Sequence, residues 1–165
     1  MCLRKITSEE VFIQELRLAK ANQRIIVTTN GSFDLLHIGH VRYLQKARAY
    51  GDILAVAINS DSSIRKIKGP FRPILPQHER AEMLAALECV DWVTIFQADN
   101  PLHLLRAIGP HFHIKGGSFL TERIAQERAI VESFGGQMLT LPMEGDYSST
   151  RLIEKIRQQK EINPT

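Results

Sequence analysis

The sequence predicts an α/β protein built on a five-stranded, doubly wound parallel sheet with helices on both faces. Three observations predict it. Apolar strand-like runs alternate with amphipathic helical runs along the whole chain, the pattern of strands joined by crossover helices. Ile53-Leu54-Ala55-Val56-Ala57-Ile58 is apolar without a break, as a strand covered on both faces requires. Glycines stand after the helical runs, at Gly51, Gly109 and Gly135-Gly136, where they end helices.

Each element has its own signal. Thr7-Ser8-Glu9-Glu10 reads as a capping box with Thr7 as N-cap, opening a helix to about Ala21 with Val11, Phe12, Leu16 and Ala19 inward. The first strand covers Arg24 to Asn30, and a helix follows from Gly39 to Tyr50. The second strand is Asp52 to Asn59. A charged, proline-containing loop runs from Ser60 to Leu75, and Pro76 fits the first turn of a helix reaching about Leu87. Asp91 to Phe96 is the third strand. Asn100-Pro101 caps a helix that ends at Gly109-Pro110, and His111 to Lys115 is the fourth strand, closed by Gly116-Gly117. A helix spans about Thr121 to Phe134, Gln137 to Leu141 is the fifth strand, and the last helix runs from Ser149 or Thr150 to about Lys160. With no repeat, linker or low-complexity segment, the expected organisation is a single domain over 1–165. In it, 1–23 is a helical extension and 24–162 the core.

Composition narrows the function classes. The 165 residues suffice for one well-cored domain, and 44% hydrophobic with 24% charged is ordinary for a globular protein. A formal net charge of +3 suits anionic small molecules but is too weak and dispersed for nucleic acid. Cys2 and Cys89 are too few and too distant for a disulfide framework. The N-terminus lacks an apolar signal core, and no apolar run is long enough to span a bilayer. A cytoplasmic protein without membrane attachment is expected.

In open parallel sheets ligands bind beyond the carboxyl ends of the strands. Four informative segments fall there: Asn30–His40, Ser60–Arg72, Lys115–Ser118 and Glu144–Thr150. His37 and His40 lie three apart at a strand-to-helix junction, where exposed N–H groups and the helix dipole favour a phosphate. Metal ligation would want a third ligand; Asp34 is close, but no Cys/His/carboxylate cluster accompanies it. Helix capping is the plain structural alternative. Lys68, followed by Gly69, can reach an anion across the rim of the sheet, whereas Lys66 reads as a solvated charge. Arg80, four positions beyond Pro76, could point into the cleft. Ser148-Ser149-Thr150 before the last helix forms a second anion site or a simple N-cap. The two helix starts together could flank a nucleoside triphosphate.

These residues match a known family. Gly31-Ser32-Phe33-Asp34-Leu35-Leu36-His37-Ile38-Gly39-His40 resembles the HxGH motif of the cytidylyltransferase-like nucleotidyltransferase superfamily. Tyr147-Ser148-Ser149-Thr150-Arg151-Leu152-Ile153 resembles its C-terminal Ser-Ser/Thr-Thr signature. Thr29-Asn30-Gly31, Ala57-Ile58-Asn59-Ser60-Asp61, Lys68-Gly69 with Arg72-Pro73, Leu87-Glu88-Cys89-Val90-Asp91-Trp92 and Ile114-Lys115-Gly116-Gly117 look most like the adenylyltransferase domain of ADP-heptose synthases. Two positions depart. Ser118 stands where that family usually has an acidic residue. About Met143 stands where glycerol-3-phosphate cytidylyltransferases carry an arginine.

The resemblance implies a Rossmann-like fold and transfer of AMP from ATP to a sugar 1-phosphate, in lipopolysaccharide core precursor synthesis. D-glycero-β-D-manno-heptose 1-phosphate is the implied acceptor. It implies His37, His40 and Lys68 at the reacting phosphates, and Ser148, Ser149 and Thr150 on the triphosphate. Gly31, Ser32, Phe33, Gly39, Lys115, Gly116 and Gly117 would shape the nucleotide pocket, and Asp34 and Arg80 would meet the sugar phosphate. Mg²⁺ is expected with ATP through phosphates and water rather than a protein cage. A separate kinase would supply the acceptor, and a homodimer is common in such enzymes. The alternatives are a cytidylyltransferase acting on glycerol 3-phosphate or a similar alcohol phosphate, and a non-catalytic nucleotide-binding regulatory module.

Overall fold

The computed structural model describes residues 2–116, 121–142 and 147–162. A 3-10 turn, Cys2–Lys5, leads into β1 (Ile6–Thr7) and α1 (Glu9–Ala21). Then come β2 (Ile26–Gly31), α2 (Ile38–Arg48), β3 (Ile53–Asn59), α3 (Asp61–Lys68) and α4 (Gln77–Ala85). The second half holds β4 (Trp92–Phe96), α5 (Leu102–Ile108), β5 (Phe112–Gly116), α6 (Thr121–Ser133), β6 (Gln137–Leu141) and α7 (Ser149–Ile162). All pairings are parallel, in the order β1-β4-β3-β2-β5-β6.

The sheet thus has six strands, not the expected five. The extra one is β1, whose two residues pair with β4 as Ile6 with Val93 and Thr7 with Thr94. Two residues carry no readable alternation, so only the tertiary pairing defines this strand. Thr7 is therefore in the sheet, and the α1 cap moves to Ser8, whose hydroxyl accepts from Val11 N at 3.4 Å. Phe12 and Leu16 are buried as expected, but Val11 faces solvent.

The expected loop Ser60–Leu75 contains helix α3. Ser60 Oγ accepts from Ser63 N at 3.2 Å and starts it. Its eight residues include Arg65, Lys66 and Lys68 in the last turn, so charge hid a short helix inside a charged segment.

The unbroken apolar run of β3 divides between the two faces with the strand period of two. Leu54, Val56 and Ile58 pack with Tyr43, Leu44 and Ala47 of α2 and Ala81, Leu84 and Ala85 of α4. Ala55 and Ala57 face the opposite layer, beside Phe12 and Leu16 of α1, Phe96, and Leu104 and Ile108 of α5. Helices therefore cover both faces, and apolar burial at roughly 25 cal/mol per Å² drives both layers. No helix among the described residues is long and apolar enough to cross a membrane.

Chain order reverses at β2: β3 and β4 extend on one side, β5 and β6 on the other. The crevice beyond the carboxyl ends of β2 and β5 is the topological switch point of this sheet.

Candidate active site

The loop after β2 is held open by buried polar groups rather than by its own hydrogen bonds. Phe33 takes φ +44°, and a Cβ at Gly31 would lie 3.1 Å from the Phe33 ring. Asp34 does not face the cleft. Its carboxylate, buried, accepts from Arg72 Nε at 2.5 Å, Ile74 N at 2.7 Å and Leu75 N at 3.2 Å. Arg80 is likewise withdrawn, at 1% exposure. It donates to Leu75 O, Ser32 O, Asn59 O and Asp61 Oδ1 at 3.0, 2.5, 2.9 and 2.8 Å. Both residues, expected on the sugar phosphate, instead brace the cleft from behind. The physical reason is burial: a carboxylate and a guanidinium out of water must spend their hydrogen bonds on the protein around them.

The two imidazoles do meet. His37 is the N-cap of α2 and its Nδ1 accepts from His40 N at 3.3 Å, which leaves the proton of a neutral ring on Nε2. The rings stack with centroids 3.7 Å apart and an interplanar angle of 23°. The Phe33 ring tilts against His40 at 5.1 Å between centroids, and the Tyr147 ring lies 6.2 Å from His37. Gly39 permits the stack, because a Cβ there would approach His37 Nδ1 to 3.0 Å and Tyr147 Cβ to 3.1 Å. Burial, then the neighbouring His37 and Lys68, lowers the His40 pKa to about 4, and burial lowers that of His37. At neutral pH both rings are uncharged hydrogen-bonding groups. Among the described residues, buried His40 Nδ1 has no hydrogen-bond partner.

Acid sensitivity follows. The unfolded chain binds protons at an ordinary histidine value of 6.5, while folded His40 resists them to about 4. Stability is therefore full above pH 6.5 and falls as pH drops toward 4, with a His40 share of roughly 2–3 kcal/mol. Urea unfolding at pH 7 and pH 4.5 should show a smaller acid loss in His40→Gln than in the native chain. An equal loss in both would place the sensitivity elsewhere.

Lys68, from the end of α3, donates to Ser32 Oγ at 2.9 Å. Partial burial and then the Arg72 guanidinium push its pKa down, against the pull of Asp34. Two recesses open at the strand ends and share Asn30, Gly31 and Ser32. One, of about 160 Å³, is also lined by Phe33, His40, Tyr43 and Gly116. The other, of about 150 Å³, adds Asn59, Ile67, Lys68 and Lys115. Lys115, expected at the nucleotide pocket, lines this second recess, and its ammonium donates to Asn30 Oδ1 there. Tyr43 lies beneath, its hydroxyl donating to Ile114 O and paired with Thr29 Oγ1, both at 2.7 Å. It sits one turn after His40, so helical spacing alone could have drawn attention to it.

The start of α7 comes to the same place. Ser149 Oγ donates to Leu35 O at 3.0 Å and faces Leu35 N at 3.4 Å, so its hydroxyl clamps the loop after β2 to the last helix. Ser148 Oγ accepts from Arg151 N at 3.1 Å as a cap, and Thr150 is exposed in the first turn. Gly117, Ser118 and Met143 lie outside the described residues. No cluster of three or more His, Cys, Asp or Glu able to hold a metal occurs among the described residues.

Comparison with known proteins gives the family and the fold. The cytidylyltransferase-like family model matches residues 28–155. The chain is 45% identical over 153 residues to the bifunctional protein HldE of Geotalea uraniireducens, covering 93% of this chain and 31% of that protein. It is 43% identical over 156 residues to the bifunctional protein HldE of Alcanivorax borkumensis, covering 94% and 33%. The chain thus spans about a third of the length of the curated relatives it matches. Among solved structures, the lipopolysaccharide core biosynthesis protein of Thermoplasma volcanium superposes with a TM-score of 0.61 at 25% identity, over 76% of this chain and 99% of that one. A pantoate-beta-alanine ligase from Francisella tularensis, 15% identical over 93% of this chain and 77% of its own with a TM-score of 0.61, shares the fold.

Proposed function

This chain belongs to the cytidylyltransferase-like family, and from that premise we propose that its cleft transfers AMP from ATP to a sugar 1-phosphate. The observation that carries the reading is the His37–His40 stack at the start of α2, with Lys68 beside it and α7 clamped against it through Ser149. An oxygen of the acceptor phosphate attacks the α-phosphorus in line. The new P–O bond forms as the bond to the β-phosphate bridge breaks, and pyrophosphate leaves. The nucleophile is already an anion, so no general base is required. The work is positioning and stabilisation of charge on the α- and β-phosphate oxygens.

In this reading the neutral rings of His37 and His40 donate from Nε2 to phosphate oxygens. Lys68 supplies the positive charge, and the start of α7 receives the outer phosphates through its dipole and Thr150. Phe33, Gly31 and Gly116 bound the nucleoside recess. Mg²⁺ enters as part of the triphosphate substrate, held by phosphate oxygens and water. The carboxylate that the motif brings nearby, Asp34, is committed to Arg72 and two backbone N–H groups.

The heptose 1-phosphate acceptor is supported by the similarity to proteins named HldE and to a structure described as a lipopolysaccharide core biosynthesis protein. The test is pyrophosphate release by pure protein with Mg²⁺. ATP plus D-glycero-β-D-manno-heptose 1-phosphate should turn over, and CTP plus glycerol 3-phosphate should not. Turnover of the second pair alone would replace the adenylyl assignment. Tight ATP binding with no release from any acceptor phosphate would make the protein a nucleotide-binding module.

A further inference from the structure

Beneath the cleft lies a buried charged group that the reaction above does not use. Glu127, on the inner side of α6, is fully buried. Its Oε2 lies 2.9 Å from Lys115 Nζ and 3.4 Å from His113 Nε2. Lys115 is itself almost wholly buried and donates to Asn30 Oδ1, at the end of β2. It lines the recess that Lys68 and Ser32 also line. His113 is pinned from its other side, Nδ1 standing 2.8 Å from Thr28 Oγ1.

Charge accounting explains the arrangement. Burial favours a neutral carboxyl, but His113 and the Lys115 ammonium outweigh it and hold the Glu127 carboxyl below its ordinary pKa. Burial, then repulsion from Lys115, lowers the pKa of His113, while Glu127 pulls the other way, and the net is a neutral ring. A neutral His113 leaves Lys115 as the cation opposite the carboxylate. A buried ion pair of this kind adds little net stability over apolar packing, yet it fixes where its members sit. Here one member is at the wall of the cleft.

We propose that Glu127 is a positioning residue: from the far side of the sheet edge it holds the Lys115 ammonium at the wall of the cleft, between Asn30 and Lys68, where it meets the phosphates of the nucleotide. The inference rests on the reading of this cleft as a triphosphate site. Its consequence is a division of labour between two lysines. Lys68 comes from a helix end beside solvent and can move with substrate, whereas Lys115 is fixed before substrate arrives. Preorganised charge requires no rearrangement at the moment of reaction.

The test is a double-mutant cycle of Glu127→Gln and Lys115→Met, read as ATP affinity by calorimetry with Mg²⁺, beside KM and kcat from pyrophosphate release. Glu127→Gln keeps the shape of the side chain and removes its charge. It should weaken ATP binding about tenfold with Lys115 present, the scale of one charge-assisted hydrogen bond, and less than about twofold in the Lys115→Met background. KM for ATP should rise more than kcat falls. An equal loss in both backgrounds, or no loss in either, overturns the proposal, since a merely structural role would not depend on Lys115. Glu127→Asp retains the charge and shortens its reach. Should Glu127→Gln not fold, the same dependence on Lys115 is expected of Glu127→Asp, and its absence is equally decisive. Native protein that binds ATP but releases no pyrophosphate refutes the transfer reaction while leaving the cycle to judge Glu127. Native protein that does not bind ATP refutes both.

Discussion

Replacing His40 by alanine lowers the rate of pyrophosphate release by about 10²–10³-fold, the effect of removing one preorganised donor from a developing phosphoryl charge. The fold survives the change. His40 packs against the rings of His37 and Phe33, and among the described residues its buried Nδ1 has no hydrogen-bond partner to lose. Removing an unsatisfied polar atom offsets part of the lost packing. The expected signature is a collapse in kcat with an unfolding midpoint close to that of the native chain. Because the ring is already neutral above its pKa of about 4, the native rate should show no acid limb from His40 between pH 5.5 and 8. Turnover within about threefold of native in His40→Ala would remove the residue from the reaction.

Arg80→Met has the largest expected effect on stability, about 3–5 kcal/mol. The methionine fills most of the space but leaves Leu75 O, Ser32 O, Asn59 O and the Asp61 carboxylate without the donors that now satisfy them. Arg80→Lys should recover little, since one ammonium cannot reproduce a planar fork aimed at four acceptors. Activity should fall too, because Ser32 and Asn59 line the recess next to Lys68. Urea unfolding of the variant checks the assignment. An unfolding free energy within about 0.5 kcal/mol of native, together with lost affinity for the acceptor phosphate, would return Arg80 to direct substrate contact.

Much of this site is legible along the chain. The His37-Ile38-Gly39-His40 segment starts a helix just after a β-strand and a short loop, and such a strand-to-helix junction can only lie at the carboxyl edge of a parallel sheet. Ser148-Ser149-Thr150 precedes another helix and lands at the same edge. Lys68 stands in a segment that follows a strand, so its reach to the cleft is expected, even though that segment is helix α3 rather than loop. Three residues show what local order does not carry. Asp34, Arg80 and Ser149 are polar residues in or near the motifs, and sequence reasoning sends them to ligand. Each bonds to protein that lies far along the chain: Asp34 to Arg72, Arg80 to Ser32, Ser149 to Leu35. Glu127 is the converse case. It belongs to no motif, and a lone glutamate in an amphipathic helix reads as solvent-facing until packing shows it fully buried.

The alternation of strands and helices, the parallel sheet, and the two helix starts that flank the cleft are all written in the residue order. These rest on periodicity and capping, which act over a few residues and are written in local order. The sixth strand, and the division of polar groups between those that face the cleft and those that hold it, come from packing. A side chain's role there depends on whether water can reach it, and that is settled by partners 38 to 114 residues away. Once buried, Asp34 and Arg80 must satisfy their hydrogen bonds inside the protein, and Glu127 must find a cation. That demand makes the first two braces and turns Lys115 from a residue after a strand into a charge fixed at the wall of the cleft.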